Sequence, residues 1–137
     1  MIVVDANVLI GVLVPSASTP AVRRVFARDA EWAAPILAAS EVRNVLLGCM
    51  RRREMSLDEA VAAMDGVALA IGDREFGVES KAVLSLAVTS GCSACDCEYV
   101  AVADRLGVEL VTFDKQVLKA FPRLAVTPEA FAAGSRQ

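Results

Sequence analysis

The sequence predicts an α/β domain of three layers, in which a mainly parallel central sheet is flanked by helices. Apolar runs rich in valine and isoleucine, such as residues 1–4 and 108–113, are typical of strands that are buried on both faces. Segments between these runs carry apolar residues at the helical period, so strands alternate with helices along the chain. The 137 residues contain no internal repeat, low-complexity segment or linker, which favours a single domain.

The first half of the chain contains two clear helix starts. Thr19 and Pro20 supply an N-cap and a proline at the first helical position, and Ser56 with Glu59 forms a capping box. We predict strands over residues 1–4, 30–34 and 68–71, and helices over residues 19–28, 35–53 and 57–67.

The second half has similar signals. Gly91 stops one helix, Ser93 caps the next, Gly107 ends it, and Thr127 with Pro128 opens the last helix. We predict helices over residues 79–89, 93–107 and 115–120 and from residue 128, and strands over residues 108–113 and 124–126. The domain then covers residues 1–132, and residues 133–137 form a C-terminal tail.

The chain contains no histidine. This excludes Ser-His-Asp and Cys-His nucleophile pairs, histidine acid–base pairs and H-E-x-x-H zinc sites. Hydrolytic chemistry would therefore have to depend on carboxylates. The net charge of −3 also argues against a generally basic nucleic-acid binder, although a local basic face remains compatible with it.

The hydrophobic content of 55% and the mean hydropathy of +0.50 are high for a soluble domain. The longest uncharged apolar stretches, such as residues 8–14, are far shorter than the ~20 residues of a membrane span. We expect the apolar excess to form a subunit interface. No basic region precedes the first apolar run and Asp5 interrupts it, so we expect no signal peptide and a cytoplasmic protein.

Three of the four cysteines are Cys92, Cys95 and Cys97. Only Cys49 could complete a zinc site with them, and there is no second C-x-x-C pair. A redox pair is the second alternative, but a reducing cytoplasm keeps such thiols reduced. We interpret the clustered cysteines as small buried hydrophobic residues.

Four acids occupy positions that predict a shared site. Asp5 and Asp114 each follow a predicted strand, and functional groups in open α/β sheets lie at the carboxyl ends of strands. Glu41 and Asp96 lie on the apolar sides of their helices, opposite charged residues.

Each acid also has an ordinary explanation. Asp5 and Asp114 could cap loops, Asp96 could complete a capping box with Ser93, and Glu41 could be a surface residue. The joint pattern is harder to explain, because two carboxylates about 5 Å apart repel by roughly 3 kcal/mol at an effective dielectric of about 20. A divalent cation would relieve this repulsion, and an oxygen-only site suits Mg²⁺ or Mn²⁺.

Magnesium held by carboxylates can activate a water and neutralise charge on a phosphodiester, which is nuclease chemistry. Arginines at positions 23, 24 and 51–53 could bind an RNA backbone through its phosphates. Alternatively, Arg51 to Arg53 interact with the end of their helix in solvent.

The residues also resemble a known family. The motifs are Asp5-Ala-Asn7-Val-Leu, Ala34-Pro35, Ser40-Glu41-Val42-x-Asn44, Asp96-Cys-Glu-Tyr99-Val-Ala-Val-Ala103 and Thr112-Phe-Asp114. In their order and spacing they resemble the PIN-domain ribonucleases, specifically the VapC-type toxins of toxin–antitoxin pairs. The resemblance covers about residues 1 to 132 and implies the Rossmann-like PIN fold.

The resemblance implies an Mg²⁺- or Mn²⁺-dependent endoribonuclease with the catalytic acids Asp5, Glu41, Asp96 and Asp114. Asp5 and Asp96 match the direct metal ligands, and Glu41 and Asp114 match residues that complete the site, often through water. Asn7 and Thr112 match polar residues that support the site. The family further implies a homodimer, a cognate antitoxin, and structured RNA substrates such as transfer or ribosomal RNA.

Cys95 departs from the family pattern, which usually has an aromatic residue before the third acid. Two other functions remain open. Asp5-Ala-Asn7 resembles the D-x-D motif of haloacid-dehalogenase-like phosphatases, although Asn7 cannot serve as the general acid. A receiver-like, non-catalytic module that binds metal or phosphate in an acidic pocket is the other alternative, although the usual adjacent acids are missing at Asp5.

Overall fold

A computed structural model describes residues 1–134 and contains one five-stranded sheet in which every pairing is parallel. The predicted α/β class is therefore confirmed. The strands are β1 (Ile2–Val4), β2 (Trp32–Pro35), β3 (Glu75–Phe76), β4 (Leu110–Val111) and β5 (Ala125–Val126).

Eight helices lie within residues 1–134 and account for most of the fold. They are α1 (Ala6–Leu13), α2 (Thr19–Arg28), α3 (Leu37–Arg51), α4 (Leu57–Ile71), α5 (Ser80–Ser90), α6 (Ala94–Leu106), α7 (Lys115–Ala120) and α8 (Pro128–Ala133). Most predicted helices are confirmed within two residues at each end. The capping box of Ser56 and Glu59 is formed in both directions, as predicted.

The order of the strands, β3-β2-β1-β4-β5, determines where a ligand can bind. The chain builds outwards from β1 to β3, then returns to the other side of β1 for β4 and β5. Val3 pairs with Ala33 on one side and with Leu110 on the other. A crevice therefore opens at the carboxyl ends of β1 and β4, where open α/β sheets bind their ligands.

Two groups of helices pack around the sheet. Helix α6 packs against β1, β2 and β4 and pairs with α5, whereas α1 packs against α2, α3 and α4. The central strands are buried along their whole length, and Trp32 and Leu9 are among the largest fully buried side chains. This burial explains why the strand sequences are continuously apolar and do not alternate.

Helix α1 is absent from the predictions. Asp5 accepts a hydrogen bond from the Val8 amide and thereby caps α1. The residues after Asp5 are apolar on nearly every side, so the segment shows no helical period in the sequence. An apolar run of this length can continue a strand or begin a buried helix, and periodicity alone does not distinguish them.

The predicted strand over residues 68–71 is wrong. Helix α4 continues to Ile71, because Ala60, Ala63, Val67 and Ile71 form one buried helical stripe. Gly72 then ends the helix with a positive φ of 58°. The third strand lies at Glu75–Phe76, where it pairs with Ala34 and Pro35 of β2.

The cysteine prediction is only partly correct. Cys92 and Cys97 are buried as expected, but Cys95 is exposed on the first turn of α6. All four thiols are free in the structure.

Helix α8 ends at Ala133, and Gly134 follows in the left-handed conformation. The rest of the predicted tail, residues 135–137, lies outside the described residues. Within residues 1–134, none of the helices is long and apolar enough to cross a membrane.

Replacement of Leu9, which is fully buried on α1, tests the packing of the unpredicted helix. We expect Leu9→Ala to lower the free energy of unfolding by about 2–5 kcal/mol, because the lost methyl groups leave a cavity. Leu69→Ala is the matched control, since Leu69 is 85% exposed on α4, and it should change stability by less than about 0.5 kcal/mol. Urea unfolding would measure both values, and equal effects of the two changes would contradict the packing of α1.

Candidate active site

A cleft of about 80 Å³ opens at the carboxyl ends of β1 and β4. All four predicted acids and both predicted supporting residues line it, although they come from four different helices or helix caps and from the residue after β4. The lining residues are Asp5, Ala6, Asn7, Glu41, Asp96, Tyr99, Leu110, Thr112, Asp114 and Val117.

Asp5 follows β1 directly and is half-buried. Its Oδ1 accepts a hydrogen bond from the Val8 amide at 3.1 Å, and its Oδ2 accepts one from the Thr112 hydroxyl. Burial raises the pKa of Asp5, the hydrogen bonds from Thr112 and the backbone oppose this effect, and the nearby charge of Asp114 adds to it. The carboxylate is thus held in place but is costly to ionise in the absence of a cation.

Thr112 joins two of the acids. Its buried hydroxyl donates to Asp5 and accepts a hydrogen bond from the Asp114 amide at 3.0 Å. The single hydroxyl of threonine can do both, because it is one donor and two acceptors. The ends of β1 and β4 are therefore linked at the side-chain level in addition to their backbone pairing.

Asp114 is the N-cap of α7. Its Oδ1 accepts hydrogen bonds from the amides of Gln116 at 2.9 Å and Val117 at 3.0 Å. Gln116 in turn donates its side-chain amide to the Gly91 carbonyl at 2.9 Å, which ties α7 to the loop before α6. Capping therefore aims Asp114 without engaging its second oxygen.

Asp96 lies in the first turn of α6 and is half-buried. Its amide donates to the Ser93 Oγ at 3.0 Å, so Ser93 caps the helix as predicted. The reciprocal bond of a capping box is not formed among the described residues, unlike the complete box at Ser56. The carboxylate of Asp96 is therefore free to face the cleft.

Glu41 is the fifth residue of α3 and is half-buried, which excludes the interpretation as a stray surface residue. Its Oε1 accepts a hydrogen bond from the Tyr99 hydroxyl at 2.6 Å. Burial raises the pKa of Tyr99, as do the hydrogen bond to Glu41 and the charges of Glu41 and Asp5, so the hydroxyl keeps its proton. Tyr99 belongs to the sequence motif that begins at Asp96, but no role is predicted for it from the sequence.

Asn7 differs from the other lining residues because it is exposed. It stands in the first turn of α1, and its backbone amide is one of the groups that lower the pKa of Asp5. Its side chain lies at the rim of the cleft.

No lysine or arginine of residues 1–134 forms an ion pair with any of the four acids. The ion pairs of that part of the chain lie elsewhere and join Met1 to Asp29, Arg52 to Glu54, and Arg74 to Asp73. Asp5 and Asp114 do have a capping role, although they cap helices and not loops as the ordinary explanation has it. Capping does not neutralise the negative charge of the cleft.

The donor set fits a hard divalent cation bound partly through water. Within residues 1–134, no three acid or cysteine side chains are arranged around a common metal position. Mg²⁺ in proteins is commonly bound through one or two carboxylates and retains several water ligands. A cleft lined by four carboxylates can meet that requirement.

A family comparison agrees with the fold. The model of the PIN domain matches residues 2–125. The chain belongs to the PIN-domain family. The Rossmann-like PIN fold predicted from the motifs is thereby confirmed.

Among known proteins, the chain is 32% identical over 130 residues to Ribonuclease VapC3 of Pyrobaculum aerophilum, covering 93% of this chain and 98% of that protein. The predicted resemblance to VapC-type proteins is therefore confirmed.

Two solved structures share the fold at lower identity. PAE2754 from Pyrobaculum aerophilum superposes with a TM-score of 0.76 at 22% identity, covering 96% of this chain and 86% of that one. A toxin–antitoxin complex from Klebsiella pneumoniae gives a TM-score of 0.66 at 16% identity, covering 93% of this chain and 98% of that one.

Asp5→Asn should raise the melting temperature of the metal-free protein at neutral pH. Because the pKa of Asp5 in the folded protein lies above its ordinary value of 3.8, its stabilising contribution is complete below pH 3.8 and is lost as the pH rises through the folded-state value. Asparagine keeps an oxygen for the Val8 amide and places an NH2 group that can donate to the Thr112 hydroxyl, but it carries no charge. The advantage of the variant should therefore grow from acid to neutral pH in thermal melts with EDTA.

Asp65→Asn is the control, since Asp65 is exposed on α4 outside the cleft. Its effect on the melting temperature should not show this pH dependence. A lower melting temperature of Asp5→Asn at neutral pH would contradict the electrostatic penalty.

Proposed function

We propose that the protein is a metal-dependent endoribonuclease and the toxin of a toxin–antitoxin pair. The observation that supports this most strongly is the convergence of Asp5, Glu41, Asp96 and Asp114 on one cleft without a cationic partner among residues 1–134. Membership of the PIN-domain family and the similarity to a protein named Ribonuclease VapC3 support nuclease chemistry.

In this proposal Asp5 and Asp96 hold Mg²⁺ or Mn²⁺ directly, and Glu41 and Asp114 complete the site through water. When bound, such a cation lowers the pKa of a water ligand and neutralises charge that develops on the phosphodiester. An all-carboxylate set matches the preference of these ions for oxygen ligands.

The side chains of the chain itself orient the reacting groups. Thr112 hydrogen-bonds to the Asp5 carboxylate and to the Asp114 backbone amide, which keeps the carboxylates of both acids directed at the cleft. Glu41 and Asp114 would accept hydrogen bonds from a water in the cleft, which would orient that water towards the phosphorus atom of the phosphodiester. Asn7 supports the rim, where its amide can donate to a phosphate oxygen.

The proposed substrate is structured RNA, such as transfer or ribosomal RNA. Exposed arginines provide candidate phosphate contacts, namely Arg23, Arg24, Arg51 and Arg53, whereas Arg52 is engaged with Glu54 at 2.9 Å. These contacts would position RNA without reading its sequence.

The proposed protein partners are a cognate antitoxin and a second copy of the chain. The structural neighbour from Klebsiella pneumoniae is described as a toxin–antitoxin complex, which supports the first. Exposed apolar residues of α5 such as Leu84 and Val88, exposed by 58% and 84%, support an interface between subunits. A cytoplasmic location remains a prediction.

RNA cleavage by the purified protein tests the enzymatic part. We expect discrete fragments from a total RNA pool with Mn²⁺, and their loss both with EDTA and in Asp96→Asn. The change keeps the shape of the side chain and the backbone bond to Ser93 but removes one metal-binding charge. The rate should fall by at least about 100-fold, on the order of the effect of removing a group that stabilises the transition state.

Fragments that persist in EDTA and in Asp96→Asn would contradict a carboxylate-held metal. Intact RNA together with metal binding would favour a non-catalytic module with an acidic pocket.

Growth after induced expression tests the role as a toxin. We expect the wild type to arrest growth and Asp5→Asn to permit it, because the variant loses a proposed direct metal ligand but retains the helix cap. Colony counts after induction, with equal protein levels verified, would measure the difference. Equal arrest by both proteins would assign the toxicity to something other than cleavage.

A further inference from the structure

Tyr99 is the one aromatic residue that lines the acidic cleft. Its ring is packed in the core with only 4% of the residue exposed, and its hydroxyl lies 2.6 Å from the Oε1 of Glu41. Phenylalanine would fill the same core position, so packing does not account for the hydroxyl. The hydrogen bond to Glu41 gives it a specific partner.

Glu41 differs from the other three acids in how it is held. Asp5 and Asp114 cap α1 and α7, and Asp96 lies in the first turn of α6. Glu41 instead lies inside α3, where the backbone amides are used by the helix itself. Among the described residues, the Tyr99 hydroxyl is the only hydrogen-bond donor to its carboxylate.

The Tyr99–Glu41 bond also spans two separate parts of the fold. It joins residues 58 positions apart, on α6 and α3, which belong to different helix groups. Tyr99 stands three residues after Asp96 and therefore on the same side of α6. The bond therefore fixes the position of the Glu41 carboxylate relative to α6, the helix that carries Asp96.

We propose that Tyr99 is the positioning residue of Glu41, which it holds in the orientation needed to complete a divalent-cation site. This inference rests on the proposed function. One carboxylate oxygen of Glu41 is occupied by the hydroxyl, and the remaining acceptor positions are available to the cation or its water ligands. A glutamate side chain has several rotatable bonds. Without the hydrogen bond from Tyr99, it would lose conformational entropy when the cation binds.

Isothermal titration with Mn²⁺ tests the proposal on the folded protein. Tyr99→Phe removes only the hydroxyl, and we expect about tenfold weaker Mn²⁺ binding, the lower end of the effect of losing a residue that orients a metal ligand. Thr19→Val is the matched control, since Thr19 also buries a hydroxyl, which donates to the Gly11 carbonyl at 2.7 Å. It should leave Mn²⁺ affinity unchanged.

A double-mutant cycle identifies the partner through which Tyr99 acts. Tyr99→Phe should have no further effect on Mn²⁺ affinity in a Glu41→Ala background, because the hydroxyl then has no carboxylate to hold. An equal loss in both backgrounds, or wild-type affinity of Tyr99→Phe, would overturn the proposal while leaving the proposed function intact. Absence of Mn²⁺ binding to the wild type would overturn both.

A second measurement does not require Tyr99→Phe to fold. The chain has a single tyrosine, so incorporation of 3-fluorotyrosine places one fluorine at this position. The fluorine resonance should shift as Mg²⁺ saturates the protein, and this response should be lost in Glu41→Ala. A fluorine resonance that does not shift at saturating Mg²⁺ in the wild type would overturn the proposal.

Discussion

Burial of carboxylates without a cationic partner among residues 1–134, at the carboxyl ends of β1 and β4, is the constraint on which the functional end of this fold depends. Removal from water is the largest cause of the raised pKa of Asp5, and the charge of Asp114 acts in the same direction. The described residues supply no cation to the cleft. The core therefore has to hold together an arrangement that is electrostatically unfavourable in the absence of metal, as is common for sites that bind ions or perform chemistry.

Helix termini reduce this cost for three of the acids. Backbone amides at the start of a helix are unpaired within the helix and carry partial positive charge. Asp5 and Asp114 accept hydrogen bonds from such amides, and Asp96 lies in the first turn of α6. The same hydrogen bonds therefore stabilise the helices and orient the carboxylates. A residue can cap a helix and also have a catalytic role.

The sequence predicts this site better than it predicts the elements around it. Strand ends and inward-facing helix positions can be predicted from local patterns, and the four acids chosen in this way line one cleft. The segment after Asp5 is different, because a helix that is apolar on all sides has no period to detect. The error at residues 68–71 has the same origin, since a short apolar segment reads as a strand although it ends a buried helical stripe.

Local sequence patterns do not predict which pairs of distant residues contact each other. The bond between Thr112 and Asp5 joins residues 107 positions apart, and the bond between Tyr99 and Glu41 joins residues 58 positions apart. Neither bond is formed until both partners have been brought together by the completed sheet. The site is therefore a property of the whole fold, and a cation that needs all four acids would bind the native state and not the unfolded chain. By mass action such binding would stabilise the fold, and so offset the cost of holding these carboxylates together without a cationic partner among the described residues.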